Sequence, residues 1–221
     1  MLPSPDLEFA YRTIERRVDL GPCAISLLTV ADVNDLLDRT DLSQGEPPYW
    51  AELWASSIGL AQYLCRDNGL LGRRALEIGC GLGLAGIAAE KAGASVLLTD
   101  VNPDAVAFAL HNARRNACRN VEARRLNWRF PELEGMFDLI LGADVIYDLD
   151  SFEPIVRLVE TRLAPKGRAI FAEPRRDIAH DFFDAMKEAG FICVRSVEEV
   201  ELSDQIHKIG IADFDRGGSY G

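Results

Sequence analysis

Residues 74–86 read Arg74-Ala-Leu-Glu-Ile-Gly-Cys-Gly-Leu-Gly-Leu-Ala-Gly86, an apolar run followed by a glycine-rich turn and an alanine-rich segment. Glycine lacks a Cβ, so the chain can turn tightly there and a ligand can approach its backbone. The segment 82–92 is expected to be helical, and the first turn of a helix has unpaired N–H groups. The stretch therefore predicts a strand, a ligand-binding turn and a helix. A turn without a ligand is the less favoured alternative.

Strand and helix patterns alternate on both sides of this turn. Strands are predicted at 74–78, 95–99, 121–126, 137–143 and 168–172, and helices from 49, at 82–92, from 103, at 150–163 and at 177–189. This alternation predicts a doubly wound, mostly parallel α/β sheet with helices on both faces. Two final strands, 191–200 and 206–214, have no helix between them. They predict an antiparallel C-terminal hairpin that completes a seven-stranded sheet.

The first 48 residues have a different pattern. Residues 17–30 predict two short strands around Gly21 and Pro22, and residues 41–48 form a polar, proline-containing turn segment. We expect residues 1–48 to be a small N-terminal extension that caps the same core. Residues 49–214 then form the main domain, and residues 215–221 a flexible tail.

The composition restricts the class of protein. The 221 residues include 24 Lys and Arg against 35 Asp and Glu, which gives a formal net charge of −11. Hydrophobic residues make up 48% of the chain, as in globular domains. The acidic balance disfavours a nucleic-acid partner, because phosphate binding needs clustered Lys and Arg. No apolar run approaches the roughly 18 residues of a membrane helix, so no membrane partner is expected.

Cysteine and histidine usage bears on metals and on the compartment. The five cysteines include no CxxC pair, and the three histidines are far apart. We therefore predict no metal site, reduced thiols and a cytoplasmic location. The sequence does not indicate the oligomeric state.

Polar residues follow the predicted strands, where open α/β sheets bind their ligands. Asp100 follows the second strand and can accept hydrogen bonds from both hydroxyls of a ribose. The alternative is a helix cap, but Asn102 is better placed for that role. Asn127 and Trp128 follow the third strand. They can address the edge and the face of an adenine, although the indole could equally plug the sheet edge.

The fourth and fifth strands are followed by more charged groups. Asp144 and Tyr147 share the loop after the fourth strand. Their position beside the glycine turn favours a functional role over a helix cap and a core tyrosine. Glu173, Arg175 and Arg176 follow the fifth strand. We expect both arginines to be solvated or ion-paired rather than catalytic.

A second glycine pattern overlaps the turn. Gly81, Gly83 and Gly86 formally match the GxGxxG fingerprint of dinucleotide-binding proteins. The match starts two residues after the expected strand end, where Gly79 already stands. The chain also has little room for the substrate domain of a dehydrogenase. A nicotinamide-dependent reductase is therefore a disfavoured alternative.

The order of these motifs resembles the seven-β-strand class of S-adenosylmethionine-dependent methyltransferases. Two stretches narrow the resemblance: Pro48-Tyr-Trp-Ala-Glu-Leu-Trp54, and Leu-Gly-Ala-Asp-Val-Ile-Tyr147. They resemble the protein-lysine methyltransferase group, which includes enzymes for the β-subunit of electron-transfer flavoprotein. Glu173-Pro-Arg-Arg176 resembles an Asp-Pro-Gly-Arg stretch of that branch.

The resemblance implies roles for individual residues. The S-adenosylmethionine cofactor would contact residues from five segments, namely Trp54, Glu77, Gly79, Cys80, Gly81, Gly83, Asp100, Asn127, Trp128 and Ala143. Asp144 and Tyr147 would face the methyl acceptor. Relatives often have Asp or Thr where this chain has Asn127. No proline lies between Asp144 and Tyr147, so the Asp-Pro-Pro-Tyr pattern of adenine-N6 DNA methyltransferases is not met.

The implied activity is in-line methyl transfer to an amine nitrogen, with the lysine side chain of a protein as acceptor. A free lysine has a pKa near ~10.4 and must lose its proton before it attacks. Desolvation in a closed pocket lowers that pKa, Asp144 would attract the ammonium, and Tyr147 would orient it. The alternatives are a methyltransferase for a small metabolite amine, the reductase, and an inactive binding module on the same fold.

Overall fold

The computed structural model describes residues 11–38 and 47–217. Most of the turn segment predicted at 41–48 and the last four residues of the predicted tail lie outside these ranges. Within them, none of the helices is long and apolar enough to cross a membrane.

A seven-stranded sheet forms the centre of the molecule, in the spatial order β5-β4-β3-β6-β7-β9-β8. Pairs among β3 to β7 are parallel, whereas β9 is antiparallel to both β7 and β8. The predicted mostly parallel sheet with a C-terminal hairpin is thereby confirmed. The strands are β3 (Arg74–Ile78), β4 (Ser95–Asp100), β5 (Val121–Arg125), β6 (Phe137–Ala143), β7 (Leu163–Glu173), β8 (Ile192–Leu202) and β9 (Gln205–Asp215).

Helices cover both faces of this sheet. One apolar cluster joins the sheet to α2, α3 and α4, and a second joins it to α5 and α6. The doubly wound arrangement is therefore confirmed. The six helices of residues 11–38 and 47–217 are α1 (Val33–Asp38), α2 (Ala55–Cys65), α3 (Leu84–Lys91), α4 (Pro103–Arg115), α5 (Phe152–Arg162) and α6 (Ala179–Glu188), and short 3-10 helices occupy Tyr49–Ala51 and Leu149–Ser151.

The N-terminal segment forms a separate antiparallel hairpin of β1 (Thr13–Asp19) and β2 (Ala24–Val30). Its turn lies at Gly21, as predicted, where the Asp19 carboxylate accepts the Gly21 N–H at 2.9 Å. Val18, Leu20, Ile25 and Leu27 are buried in the same apolar cluster as α2, α3 and α4. The hairpin thus packs on the side of the main sheet that α2, α3 and α4 cover.

Asn112 of α4 and Asn116, which caps the C-terminus of this helix, hold the outer edge of the hairpin. The Asn112 amide accepts the Leu28 N–H at 2.7 Å and donates to Leu28 O at 3.2 Å. One helical turn later, Asn116 makes the same pair of bonds to Ser26. Residues four apart on a helix share a face, and residues two apart on a strand share an edge, so the two side chains replace a neighbouring strand. Asn112 also donates to Leu82 O at 3.0 Å, which links the hairpin to the glycine turn.

Several element boundaries differ from the sequence prediction. Residues 49–51 form a 3-10 turn, and α2 begins only at Ala55. Helix α3 begins at Leu84 because Gly83 has a left-handed φ of 81° and ends the turn. Strand β7 begins at Leu163, since Leu163 pairs with Phe137 before a register shift.

Candidate active site

The glycine turn lies at the carboxyl end of β3. Gly79 and Gly81 have φ values of 59° and 48°, which L side chains rarely adopt. A Cβ on Gly79 would lie 2.8 Å from Val145 and 3.3 Å from the Trp128 ring. A Cβ on Gly81 would lie 3.1 Å from the carbonyl oxygen of Trp50. Both positions therefore require glycine for backbone conformation and for space.

Glu77 connects β3 to the helix that follows this turn. Its carboxyl group is buried and accepts the N–H of Gly86, in the first turns of α3, at 2.8 Å. Burial raises the pKa of Glu77 to about 8, partly offset by this hydrogen bond. A Cβ on Gly86 would lie 2.6 Å from the same carboxylate oxygen, so glycine allows the contact. Burial also raises the pKa of the neighbouring Cys80 thiol, which makes it a packing group rather than a nucleophile.

Asp100 ends β4 beside the turn and is held by two backbone groups. Its Oδ2 accepts the Gly81 N–H at 3.0 Å, and its Oδ1 accepts the Asn102 N–H at 2.9 Å. Asn102 itself caps α4 through the N–H groups of Asp104 and Ala105, as predicted. A carboxylate oxygen can accept more than one hydrogen bond. The fixed Asp100 carboxylate is therefore suited to a vicinal diol.

The end of β5 places Trp128 and Asn127 differently. The Trp128 ring lies against the glycine turn and lines the cavity described below. The Asn127 side chain is exposed, and its amide oxygen accepts the Arg129 N–H at 3.0 Å. Arg125 lines the cavity from the same strand end, with its Nε donating to Val101 O at 2.7 Å.

Asp144 follows β6 with an unusual backbone conformation. Its φ is 58°, and its N–H donates to Ala172 O at 2.8 Å across the strand ends of β6 and β7. The Asp144 carboxylate forms an ion pair with the guanidinium of Arg176. Of the two states expected for Arg176, solvated or ion-paired, the structure shows the ion pair.

Aromatic side chains surround the mouth of the site. Tyr49, Trp54 and Tyr147 are each between 38% and 50% exposed. The Tyr49 ring lies edge-on to the Trp54 ring at 6.3 Å and to the Tyr147 ring at 6.2 Å between centroids. The Trp54 indole N–H donates to Tyr49 O at 2.9 Å, which fixes the Trp54 ring relative to the Tyr49 backbone.

These groups line one cavity of about 610 Å³. It contains most of the residues singled out from the sequence, namely Trp54, Glu77, Gly79, Cys80, Gly81, Asp100, Trp128, Ala143, Asp144 and Tyr147. Gly83 and Asn127 are not among its lining residues. Among the described residues, no group of three or more His, Cys, Asp and Glu side chains could hold a metal ion.

Several residues of this cavity were not predicted from the sequence. Tyr49, Trp50 and Glu52 belong to the same stretch as Trp54, and that stretch was the available signal for them. Val101 and Asn102 directly follow Asp100, so the strand end could have indicated them. Arg125 had no comparable signal, because it is an ordinary arginine in an exposed strand.

A solved methyltransferase structure has the same fold. The N-methyltransferase NodS from Bradyrhizobium japonicum, in complex with S-adenosyl-L-homocysteine, matches with a TM-score of 0.61. The two chains are 20% identical, and the match covers 82% of this chain and 97% of NodS. At that identity the likeness establishes the fold alone.

Sequence relatives narrow the class. The histidine protein methyltransferase 1 homolog of Dictyostelium discoideum is 32% identical over 148 residues, which are 64% of this chain and 48% of the relative. The mouse electron transfer flavoprotein beta subunit lysine methyltransferase is 30% identical over 142 residues, 63% and 55% of the two chains. The matches span about half the length of these curated relatives. A family profile described as lysine methyltransferase matches residues 43–189, and the chain belongs to this family.

Proposed function

We propose that this protein is an S-adenosylmethionine-dependent methyltransferase that methylates the lysine side chain of another protein. One observation carries the proposal. A single cavity runs from the glycine turn and Asp100 to Asp144, Tyr147 and an open aromatic mouth. Such a cavity has room for a nucleoside at one end and admits an extended side chain at the other. Membership of the lysine methyltransferase family supports the same acceptor.

The residues at the inner end fit the S-adenosylmethionine cofactor. The Asp100 carboxylate suits the ribose hydroxyls, and a Cβ on Gly79 or Gly81 would fill the space over the turn. The Trp128 ring offers a face to an aromatic base. Arg125, Val101 and Asn102 complete that side of the cavity. When bound, S-adenosylmethionine supplies an electrophilic methyl group on a sulfonium.

The residues at the outer end of the cavity remove water from the acceptor side chain and orient its nitrogen. The aromatic rings of Tyr49, Trp54 and Tyr147 exclude water around the aliphatic part of a lysine side chain. Removal from water favours the neutral amine, which is the form that attacks. The Asp144 carboxylate accepts a hydrogen bond from the amine nitrogen and fixes its direction. The chain acts mainly by alignment, because the methyl group arrives already activated.

The cofactor half of the proposal is tested by calorimetric titration with S-adenosylhomocysteine. We expect a Kd in the micromolar range, on the order of −8 kcal/mol, and its loss in Asp100→Ala. Asp138→Ala is the matched control. Asp138 also accepts a backbone N–H, from Arg74 at 2.9 Å, but at the amino end of β6. Absence of binding by the wild type would refute the proposed cofactor.

The acceptor half is tested with tritiated S-adenosylmethionine and a lysate of the host. We expect one or a few labelled proteins and a methylated lysine in the labelled peptide by mass spectrometry. Asp144→Asn should bind S-adenosylhomocysteine as the wild type does, with transfer reduced about 10²-fold. Label in a small metabolite fraction alone would contradict a protein acceptor.

Histidine is the second candidate acceptor, because the Dictyostelium relative is named as a histidine protein methyltransferase. An imidazole is neutral for the most part at pH 7 and needs no deprotonation before attack. The same mass spectra distinguish the two. A methylated histidine in place of lysine would keep the enzyme class and change the acceptor.

We also infer the organisation and location of the protein. The β1–β2 hairpin shares the core of the main sheet, which supports residues 1–48 as a cap on the domain of residues 49–214. The predicted tail at 215–221 starts one residue too early, because Asp215 pairs with Ile192 at the end of β9. The five cysteines are free thiols, which supports a reducing, cytoplasmic environment. Gel filtration with light scattering determines the oligomeric state, and cell fractionation tests the proposed cytoplasmic location.

A further inference from the structure

The loop between β7 and α6 brings an arginine to the acceptor end of the cavity. The Arg176 guanidinium pairs with Oδ1 of Asp144, whose side chain is 10% exposed against 33% for the arginine. Asp144 lines the cavity, whereas Arg176 is not among its lining residues. The proposed transfer reaction does not yet give this cation a role.

A buried acid fixes the backbone of this loop. Glu173 is 1% exposed, and its Oε2 accepts the Arg176 N–H at 2.7 Å. A Cβ on Gly210 of β9 would lie 2.7 Å from the other carboxylate oxygen of Glu173. The glycine therefore leaves the space that the acid occupies. Arg175, between the two, has a φ of 62°, so the loop adopts a conformation that depends on these contacts.

The backbone on the other side of the ion pair is fixed as well. Asp144 has a φ of 58°, and its N–H is bonded to Ala172 O, one residue before Glu173. The carboxylate and the guanidinium are thus attached to two neighbouring strand ends that are bonded to each other. Both backbones are therefore fixed, and only the two side chains have to be ordered when the pair forms.

The ion pair with Arg176 distinguishes the two carboxylate oxygens of Asp144. Because Arg176 is bonded to Oδ1, Oδ2 is the oxygen with more capacity to accept a hydrogen bond from an amine in the cavity. The positive charge of Arg176 also offsets the negative charge of Asp144. An amine beside this pair is less strongly held as ammonium than beside an isolated carboxylate, which favours the neutral nucleophile.

We propose that Arg176 is a positioning residue for methyl transfer, which orients the Asp144 carboxylate toward the acceptor nitrogen and is itself held by buried Glu173. The proposal rests on the proposed function, because it assigns Arg176 to that same acceptor site. The arginine acts through Asp144.

Kinetics with the labelled acceptor protein test this role. In Arg176→Gln we expect kcat/KM to fall on the order of 10–100-fold, mostly through kcat, with affinity for S-adenosylhomocysteine unchanged. Arg176→Lys should restore part of the loss, because it keeps the charge without the planar fork. Arg175→Gln removes the same charge one residue away and should keep wild-type kinetics. Unchanged kcat/KM in Arg176→Gln, or an equal loss in Arg175→Gln, would overturn the proposal.

A readout without the acceptor separates this proposal from the proposed function. Crystal structures of the S-adenosylhomocysteine complexes of wild type and Arg176→Gln would show the Asp144 side chain directly. We expect one orientation toward the cavity in the wild type and a turned or disordered carboxylate in the variant. The same orientation in both would overturn the role of Arg176. Failure of the wild type to label any acceptor would refute the proposed function, and the carboxylate orientation would still decide the role of Arg176.

Discussion

At the scale of single residues, Glu77 shows how the glycine turn is supported. The carboxyl group is buried, bonded to the Gly86 N–H, and has a pKa raised to about 8. Below about pH 4.5 it is neutral in both the folded and the unfolded chain. As the pH rises, the unfolded chain loses the proton first, so this contribution to stability decreases until the pH passes the folded-state pKa.

Glu77→Gln should remove this dependence on pH. Between about pH 5.5 and 8, the wild type should lose on the order of 3 kcal/mol of unfolding free energy relative to the variant. Urea unfolding of both proteins at the two pH values measures the difference. Glu122→Gln, at an exposed position of β5, makes the same chemical change and should leave the pH dependence as it is. A constant difference between wild type and Glu77→Gln would show that Glu77 is ionised in the folded protein throughout.

The residues predicted best are those whose role follows from the backbone. Gly79, Gly81 and Asp100 were found because a strand end, a tight turn and a following acid are properties of sequence order. Arg125 reaches the cavity through tertiary packing, which no local pattern encodes. Asn127 was assigned to the adenine from its place after β5. Its amide oxygen accepts the Arg129 N–H, because a short polar side chain readily bonds to the backbone two residues on, and Asn127 is not among the lining residues of the cavity.

At the scale of elements, the attachment of the β1–β2 hairpin to α4 depends on two asparagines. Asn112→Ala leaves three buried backbone groups without their partner, at Leu28 and Leu82. We expect a loss of about 3 kcal/mol in unfolding free energy. Asn116→Ala should cost about 1 kcal/mol, because its partners at Ser26 are partly exposed and can bond to water.

Chemical denaturation measures the two losses of unfolding free energy, and hydrogen exchange shows which elements they affect. The amides of β2 should lose protection in Asn112→Ala before those of β3 do. Exposed Arg114, on another face of α4, provides the control substitution Arg114→Ala. Equal costs for Asn112→Ala and Asn116→Ala would mean that burial of the backbone partners does not determine the energy.

Elements were predictable where capping and periodicity agree. Asn102 and Pro103 predicted the start of α4, because a capping residue followed by proline is typical of a helix N-terminus. The helix predicted at 150–163 begins two residues later than predicted, at Phe152. Asp148 accepts the Asp150 N–H and opens a 3-10 turn, and α5 begins after it at Phe152. Both aspartates satisfy the local rule, and packing of the helix against the sheet selects between them.

At the scale of the whole molecule, the fold class follows from alternation, but the shape of the cavity does not. Strand order and handedness restrict a repeated strand–helix pattern to few arrangements, so the sheet could be predicted. The cavity also needs the segment before α2, whose Tyr49 and Trp54 lie across from Tyr147. That approach depends on how α2 packs on the sheet, and it brings together residues about a hundred positions apart.

Because hairpin, turn and sheet share one core, ligand binding should stabilise the molecule as one unit. At about 100 times its Kd, S-adenosylhomocysteine should add about 2.7 kcal/mol to the unfolding free energy. That corresponds to an increase of about 5–10 °C in Tm for a domain of this size. Differential scanning calorimetry should show one transition that moves as a whole.

Gly81→Arg and Gly72→Arg make this test specific to the cavity. Both glycines have left-handed φ values, 48° and 74°, so an arginine causes backbone strain at either position. At Gly72 no atom lies within 4 Å of the added Cβ, whereas at Gly81 the Trp50 carbonyl oxygen lies 3.1 Å away, at the wall of the cavity. Both variants should have a lower Tm than the wild type. Only Gly81→Arg should lose the increase caused by S-adenosylhomocysteine, because its side chain must enter the space over the turn. An increase that persists in Gly81→Arg would place the ligand elsewhere, and two separate transitions in the wild type would show that the hairpin and the sheet do not unfold together.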